Sequence, residues 1–231
     1  MSGARALAIA HRGDPYALRE NTLPSLRSAL RKGADVVEVD VRMTSDGVPV
    51  LLHDPTLERL WGVRKAVTSL TRDEVAEATG GGVPDLSEAL AALRDGGRAR
   101  VLLDLTDAEQ AEPTVEAVRA AGLGPRAYYC GGLAALRRVR ALDADAEIAL
   151  TWKTSLRPAP RLLDELRPRW LNLRFGLVDP ATVAWAREHD LLVAAWTADW
   201  ERSMLRLLDL GVDAVTTNRL GALRRMIARR A

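Results

Sequence analysis

Short apolar runs recur from one end of the chain to the other, and each has the length of one β-strand. They lie at Leu7–Ala10, Val36–Val41, Val101–Leu105, Ala127–Cys130, Ile148–Trp152, Trp170–Leu173, Leu192–Trp196 and Ala214–Val215. The pattern therefore predicts eight strands spread evenly along the chain.

Amphipathic stretches with helical periodicity lie between most of these runs. They are Leu23–Arg31, Leu86–Leu93, Glu109–Ala121, Leu133–Leu142, Ala181–Glu188, Met204–Leu210 and Leu220–Arg229. Alternation of strands with helices indicates a parallel sheet, and eight βα units predict an α/β protein with a TIM (β/α)8 barrel. A doubly wound open sheet is the weaker alternative, because no glycine-rich phosphate loop follows the first run.

The second run continues through a tight turn, Thr44–Gly47, into a further extended segment, which is predicted as a return strand over Val48–His53. The turn contains the Asp-Gly pair typical of β-hairpins, and it is too short for a parallel crossover. A symmetric turn would place Glu38 opposite His53 and Asp40 opposite Leu51. Because side chains alternate along a strand, the two carboxylates and the histidine are predicted to share one face. A one-residue bulge in the turn would shift this pairing but keep the groups close.

One stretch interrupts the alternation. Residues 55–85, which include Gly80-Gly81-Gly82-Val83-Pro84, are too long for an ordinary βα loop. We expect a small insertion there, after the second strand and its hairpin, on the face where the βα loops meet. We find no other linker, so residues 1–231 are predicted to form a single barrel domain.

Composition narrows the classes of function. Of 231 residues, 48% are hydrophobic and 28% charged, which is typical of a globular protein with a substantial core. The formal net charge is only +2 and the arginines are scattered, apart from a cluster at 224–230, so nucleic acid binding is not expected.

Cellular location is predicted from three further features. No apolar run reaches the length of a membrane span, and the ten residues before His11 are too short for a signal peptide. The single cysteine, Cys130, cannot form an intramolecular disulfide and is expected to be a small buried strand residue. These features predict a cytoplasmic protein, and they leave its oligomeric state open.

Polar residues stand at the ends of several predicted strands, where a barrel of this type builds its active site. They are His11 and Arg12 on the first strand, Glu38 and Asp40 on the second, His53 after the hairpin and Asp104 on the third. Three carboxylates at one mouth would repel one another without a hard cation, and such oxygen ligands suit Mg²⁺ or Ca²⁺. Histidine exchanges protons near neutral pH, and the planar guanidinium of arginine suits phosphate oxygens. The set predicts metal-assisted cleavage of a phosphate ester.

Eight short motifs stand in order along the chain. They are His11-Arg12-Gly13, Glu20-Asn21-Thr22, Val37–Val41, Thr44–Val50, Leu52–Leu57, Val83–Leu86, Ala195–Thr197 and Gly211–Asn218. This ordered series resembles the glycerophosphodiester phosphodiesterase family. The resemblance implies a TIM barrel that uses a divalent metal to hydrolyse glycerophosphodiesters to an alcohol and sn-glycerol 3-phosphate.

Roles for individual residues follow from the same resemblance. By this likeness His11 and His53 would be the acid/base pair, and Glu38 and Asp40 would bind the metal. Trp196 would line the pocket beside the glycerol moiety of the substrate.

Two positions depart from the family's pattern. The family usually reads Glu-x-Lys on the third barrel strand, where this chain reads Asp104-Leu105-Thr106. The carboxylate is one methylene shorter, so the metal is expected to lie closer to this strand or to be reached through a water. The missing lysine removes a cation that faces the phosphate, and Lys153 and Arg174 are candidate replacements. Asn218 stands where the family tends to have Asp.

Supporting roles are predicted for the residues around the first helix. Glu20 is expected to support the site from its loop rather than to bind the metal directly. Asn21-Thr22 before Leu23-Pro24 also has the pattern of a helix cap, so Asn21 is likewise expected to contact the site residues rather than the metal. His189, which follows a helix, is expected to be solvated.

Two other functions agree with parts of the sequence. One is a phospholipase D-like barrel enzyme acting on lysophospholipids, and the other is a catalytically impaired barrel that only binds phosphodiesters. The absent disulfide opposes the first, and the pair of histidines opposes the second. Attack by water and attack by a substrate hydroxyl through a cyclic phosphate both agree with these residues.

Overall fold

The computed structural model describes residues 5–230. Residues 1–4 and 231 of the domain predicted over 1–231 lie outside the described part, and so do the first four of the ten residues considered as a signal peptide. The strands are β1 (Leu7–His11), β2 (Val36–Met43), β3 (Pro49–Leu51), β4 (Arg100–Leu105), β5 (Ala127–Gly131), β6 (Ala149–Trp152), β7 (Trp170–Arg174), β8 (Leu192–Trp196) and β9 (Ala214–Thr217). The α-helices are α1 (Leu23–Arg31), α2 (Glu58–Trp61), α3 (Arg72–Thr79), α4 (Leu86–Asp95), α5 (Ala111–Ala120), α6 (Leu133–Leu142), α7 (Pro160–Leu166), α8 (Pro180–Glu188), α9 (Glu201–Asp209) and α10 (Leu220–Ala228).

Eight parallel strands form a nearly closed barrel in the order β1-β2-β4-β5-β6-β7-β8-β9, and β9 pairs back with β1. β5 and β6 meet through an isolated bridge between Tyr129 and Ile148. Helices surround the barrel, and a large apolar core fills the layer between them and the strands. The predicted (β/α)8 fold with an insertion after the hairpin is therefore confirmed. None of the described helices is both long and apolar enough to cross a membrane.

The interior of the barrel is packed below its mouth. Every second residue of a strand points inward, and the lower inward positions are apolar. They include Ile9, Val36, Leu102, Tyr128, Trp170 and Ala194. The upper inward positions are therefore left for polar groups at the C-terminal ends of the strands.

The predicted strands agree with the observed ones to within two residues at each end, apart from the hairpin's return strand. That segment, predicted over 48–53, is the shorter β3. The barrel helix α7 was not predicted, because it is short and lies between Pro158 and Pro168. Its first residue is Pro160, whose missing N–H costs no hydrogen bond at a helix start.

The hairpin has the predicted type but a register shifted by one residue. Leu51 pairs with Val41 instead of Asp40, so the predicted pairing of β2 with β3 was wrong. His53 correspondingly lies beyond the end of β3 and not opposite Glu38. It nevertheless lines the same cavity as Glu38 and Asp40, so the predicted proximity is confirmed.

The turn explains the shift in register. Thr44 N donates to Val48 O at 3.1 Å, which leaves three residues in the loop. The last of them, Gly47, has φ of 78°, the left-handed conformation that three-residue bulged turns require. His53 therefore reaches the site from a loop, and Arg42 holds that loop by donating to His53 O at 2.6 and 3.0 Å.

The segment predicted as an insertion over 55–85 contains α2, a 3-10 turn and α3. It has a small apolar core of its own. The core side chains are Val50, Leu52, Leu57, Val67, Leu70, Val75 and Val83. Two of these side chains, Val50 and Leu52, belong to β3 and to the residue that follows it. The insertion therefore packs against the part of the chain that leads to His53.

The loop after β1 folds tightly against the start of α1. Gly13 has φ of 89°, and a Cβ there would lie 2.7 Å from the carbonyl carbon of Ser25 and closer still to its Oγ. This approach lets Ser25 Oγ accept from Asp14 N at 2.7 Å and donate to Arg12 O at 3.1 Å. The glycine thereby fixes the backbone that presents Arg12 to the site.

Replacing this glycine is expected to destabilise the protein markedly. Gly13→Ala combines the cost of a left-handed alanine with a clash against backbone, so we expect a loss of about 3 kcal/mol or more in the free energy of unfolding in urea. Gly47→Ala is the matched control, because Gly47 is also left-handed but has nothing within 4 Å of its added Cβ. It should cost about 1–2 kcal/mol. Equal losses in both variants would contradict the role of close packing.

Candidate active site

Strand pairing brings the predicted polar residues to one mouth of the barrel. His11 of β1 pairs with Glu38 of β2, and Asp40 of β2 pairs with Asp104 of β4. All four are at inward positions near the C-terminal ends of their strands. They line a cavity of about 360 Å³, which His53 also lines.

The three carboxylates form one compact cluster. Glu38, Asp40 and Asp104 each offer an oxygen, and these oxygens lie within 4.8 Å of one another. Burial, followed by the charges of Asp40 and Asp104, raises the pKa of Glu38 well above its usual value. Burial and the charge of Asp40 raise the pKa of Asp104 to about 6. The cluster is therefore short of positive charge near neutral pH.

The donor set of this cluster fits a divalent cation. Asp104 Oδ1 is buried and accepts no hydrogen bond from residues 5–230. Asp40 Oδ2 is held from one side by Asn21 Nδ2 at 2.7 Å and by Arg12 Nε at 3.0 Å. Carboxylate oxygens are the ligands that hard cations such as Mg²⁺ and Ca²⁺ prefer. Gly131 leaves the space for Asp104, since a Cβ there would lie 2.5 Å from Oδ1.

His11 is held in one tautomer. Its Nδ1 lies 2.8 Å from Asn218 Oδ1, and Asn218 Nδ2 donates to Asp199 Oδ2 at 2.7 Å. Because the amide nitrogen of Asn218 faces Asp199, its oxygen faces His11 and accepts a hydrogen bond from Nδ1–H. Nε2, which lies 3.9 Å from Glu38 Oε2, is left with its lone pair. Burial and the charge of Arg12 lower the pKa of His11, so the ring is neutral near pH 7.

His53 is held by a carboxylate instead. Its Nδ1 lies 2.6 Å from Asp54 Oδ1, and Arg59 of α2 donates to the other oxygen of Asp54. The hydrogen bond from Arg59 is the main cause that lowers the pKa of Asp54 to about 2. Asp54 is therefore ionised, and it fixes the ring of His53 through Nδ1. The side chain of His53 is 44% exposed, so substrate can reach it from the cavity mouth.

Arg12 and the residues behind it form a charged network. Arg12 Nη1 donates to Glu20 Oε1 at 3.0 Å, and Arg59 donates to the same oxygen at 2.6 Å. Asn21 binds Asp40 as described above, and both Arg12 and Asn21 have left-handed backbones with φ of 56° and 55°. The structure thus places Glu20 and Asn21 behind the cavity-lining groups. Thr22 caps α1 by accepting a hydrogen bond from Ser25 N.

The structure separates the two candidate replacements for the missing lysine. Lys153 lines the cavity, and its charge counters the rise in the pKa of Asp104. Arg174 is exposed at the end of β7 and does not belong to the cavity lining within the described residues. Thr106 lines the cavity and accepts a hydrogen bond from Arg42 at 2.8 Å. Trp196 also lines the cavity, and its indole nitrogen is buried without a hydrogen-bond partner among residues 5–230.

Sequence reasoning missed several polar groups of this site. Thr151, Asn172 and Thr216 line the cavity, and Asn172 Nδ2 donates to Thr151 Oγ1 at 3.3 Å. Each occupies an inward position near the end of an apolar strand, and that placement is the signal that could have found them. Asp54 follows His53 directly, but the role of Arg59 depends on how the insertion folds and leaves no local signal.

A (β/α)8 barrel that gathers carboxylates, two imidazoles and an arginine at this mouth defines an enzyme of the phosphoester hydrolase class. A sequence model described as the glycerophosphoryl diester phosphodiesterase family matches residues 11–222. A Mycobacterium tuberculosis protein named probable glycerophosphodiester phosphodiesterase 2 is 32% identical over 246 residues, covering 97% of this chain and 91% of that protein.

Solved structures agree with this assignment. An Oleispira antarctica phosphodiesterase in complex with the product sn-glycerol-3-phosphate superposes with a TM-score of 0.86 at 25% identity over 97% of each chain. A Parabacteroides distasonis glycerophosphodiester phosphodiesterase shares the fold, with a TM-score of 0.85 at 24% identity over 98% of each chain.

The chain belongs to the glycerophosphoryl diester phosphodiesterase family, and it is an enzyme that hydrolyses small-molecule glycerophosphodiesters. Enzymes of this family generally depend on a divalent metal, and the acidic cluster described above is present in this chain. The assignment of residues 1–231 to a single domain stays a prediction.

Proposed function

We propose that the enzyme releases sn-glycerol 3-phosphate from glycerophosphodiesters by acid/base catalysis between His11 and His53 beside a cation held by Glu38, Asp40 and Asp104. The observation that carries this proposal is the different fixation of the two imidazoles at one cavity. Both have Nδ1 engaged, one by a neutral amide and one by a carboxylate. The amide partner of His11 leaves its Nε2 as a proton acceptor, and the carboxylate partner of His53 leaves its Nε2 as a site from which a proton can be donated.

The three carboxylates would supply the oxygen ligands for Mg²⁺ or Ca²⁺. Such a cation, when bound, offsets the charge of the phosphoryl oxygens and polarises a coordinated oxygen. Asn21 and Arg12 both bind Oδ2 of Asp40, which leaves its Oδ1 for a cation. The buried, unpartnered oxygen of Asp104 supports the same arrangement among the described residues.

The proton transfers are assigned from the hydrogen bonds of each ring. His11 is the base, because its Nε2 lone pair is free and its lowered pKa keeps it unprotonated. His53 is the acid, because Asp54 accepts the hydrogen bond from Nδ1–H and leaves Nε2–H of the ring for the leaving alkoxide. Water or a hydroxyl of the glycerol moiety could equally lose its proton to His11. A single-turnover search for a cyclic glycerol phosphate would separate these two routes.

The substrate would be held by three cavity-lining side chains. Arg12 and Lys153 carry the charges that suit phosphate oxygens, and Trp196 offers an apolar face and an indole N–H to the glycerol moiety. The indole nitrogen is buried without a partner in the described part of the chain, so a hydroxyl of the substrate would satisfy it.

The test is the release of sn-glycerol 3-phosphate from glycerophosphocholine with Mg²⁺, with Ca²⁺ and with EDTA. We expect release with at least one cation and none with EDTA. Lysophosphatidylcholine is assayed in parallel, and faster turnover of that lipid would favour the phospholipase D-like alternative. No release from any glycerophosphodiester under either metal would contradict the proposal and leave a binding function.

Lys153 is expected to replace the missing lysine of β4. Lys153→Ala should lower kcat/KM for glycerophosphocholine about 10–100-fold, as for the loss of a charge-assisted contact to phosphate. Arg174→Ala is the matched control and should stay within about twofold, because Arg174 lies outside the described cavity lining. Unchanged turnover in both variants would show that neither residue compensates for Thr106.

A further inference from the structure

One buried amide of the cavity takes no part in the chemistry proposed above. Asn172 of β7 lines the cavity and is only 5% exposed. Its Nδ2 donates to Thr151 Oγ1 at 3.3 Å, which assigns the nitrogen to the side of β6 and leaves the oxygen for the cavity. That oxygen, Oδ1, is buried and accepts no hydrogen bond from residues 5–230. Because an unpaired buried acceptor costs free energy, a ligand that donates to Oδ1 gains affinity.

A second buried group without a partner lies beside the first, and it is a donor. Trp196 Nε1 lines the same cavity and has no acceptor within the described part of the chain. Asn172 pairs with Ala194 of the neighbouring strand β8, two residues before Trp196. The indole therefore lies one inward position nearer the mouth than the amide. A hydroxyl group both donates and accepts, so the hydroxyl groups of a polyol match this pair of side chains.

Asn172 lies across the barrel from the carboxylate cluster. β2, which carries Glu38 and Asp40, is the second strand of the ring and β7 is the sixth, so four steps separate them in either direction. With the phosphoryl group beside the carboxylates and Trp196 beside the glycerol moiety, the glycerol hydroxyl farthest from phosphorus extends toward the opposite wall. The leaving alcohol takes its proton from His53, which is exposed at the mouth, so it does not compete for the buried amide.

We propose that Asn172 binds the glycerol moiety of the substrate by accepting a hydrogen bond from its terminal hydroxyl, and that this contact determines specificity for glycerol; this inference rests on the proposed function. Thr151 positions the amide, and Trp196 covers the same moiety from the side of the mouth. A substrate without the terminal hydroxyl leaves Oδ1 of Asn172 unpaired in a buried site, and such a site rejects it.

The test uses two substrates that differ in one hydroxyl, glycerophosphocholine and the hydroxypropyl phosphocholine that lacks only the terminal hydroxyl. We expect kcat/KM of the wild-type enzyme to favour glycerophosphocholine about 10–100-fold. Asn172→Leu should lower kcat/KM for glycerophosphocholine by about that factor and leave the other substrate nearly unchanged, so the preference disappears. The affinity of sn-glycerol 3-phosphate as a competitive inhibitor should fall in parallel.

Two further variants serve as controls. Asn172→Asp keeps an acceptor at the same position, so it should keep the preference, although its charge lowers the turnover of both phosphodiesters. Gln110→Leu removes another buried amide, one outside the described cavity lining, and should leave the ratio of the two substrates unchanged.

The outcomes separate the two levels of the inference. No turnover of glycerophosphocholine with Mg²⁺ or Ca²⁺ would contradict the proposed function and with it the role of Asn172. Equal turnover of both substrates by the wild-type enzyme would contradict the hydroxyl contact alone, and it needs no variant to fold. An Asn172→Leu variant that lowers both substrates to the same degree would reduce the residue to a structural role. Loss of the preference in Asn172→Asp would contradict the assignment of Oδ1 as the acceptor.

Discussion

His11→Ala and His53→Ala are each expected to lower kcat for glycerophosphocholine by about 10²–10⁴-fold, the range found for positioned acids and bases. His11 and His53 act in the same turnover, one as the base and the other as the acid. The kcat of the double variant should therefore be little lower than that of the less active single variant. The measurement is release of sn-glycerol 3-phosphate at saturating substrate with Mg²⁺ or Ca²⁺.

His189→Ala is the matched control for both variants. His189 is exposed after α8, where its Nδ1 lies 2.9 Å from Trp185 O, so its loss should change kcat by less than about twofold. Retention of more than a tenth of the wild-type kcat in either His11→Ala or His53→Ala would exclude that ring as the acid or base. Folding is checked by thermal unfolding of each variant.

The sequence was sufficient to predict the barrel because its parallel strands are buried on both faces and stand out as apolar runs. The same alternation that builds the barrel also identifies the site. Glu38, Asp40 and Asp104 are polar residues at inward positions of strands that are otherwise apolar, and the structure places them together. Thr151 and Asn172 obey the same rule, so applying it to the later strands would have found them.

Contacts set by tertiary packing could not be predicted in this way. The register of the hairpin depends on one left-handed residue, Gly47, and a shift of one position changes the face of every side chain that follows. His53 lines the cavity because it leaves the strand early. The Arg59–Glu20 pair joins residues 39 positions apart through a helix of the insertion, so neither spacing nor periodicity could reveal it.

One substitution, Asp104→Asn, is expected both to stabilise the metal-free enzyme and to inactivate it. Asp104→Asn removes one of three clustered carboxylates, whose mutual repulsion the folded protein bears when no cation is bound. The folded-state pKa of Asp104 is about 6 against an ordinary value of 3.8. The folded protein therefore binds more protons than the unfolded chain between about pH 4 and 6, and its free energy of unfolding falls as the pH rises through that window. Above about pH 6 the folded protein bears the full cost of keeping Asp104 ionised, about 3 kcal/mol in the free energy of unfolding.

In EDTA at pH 7, Asp104→Asn should therefore exceed the wild type in the free energy of unfolding by up to about 3 kcal/mol, and the difference should vanish toward pH 4. Asp145→Asn, an exposed position between α6 and β6, should show no such pH-dependent gain. Mg²⁺ or Ca²⁺ at a hundredfold excess over its Kd should stabilise the wild type by about 2.7 kcal/mol and the variant by less. The difference in the free energy of unfolding between the variant and the wild type is thus expected to narrow or change sign when the cation is added. A variant that is less stable than the wild type in EDTA at pH 7 would mean that Asp104 is satisfied by the protein alone, and the three carboxylates would then need no cation to coexist.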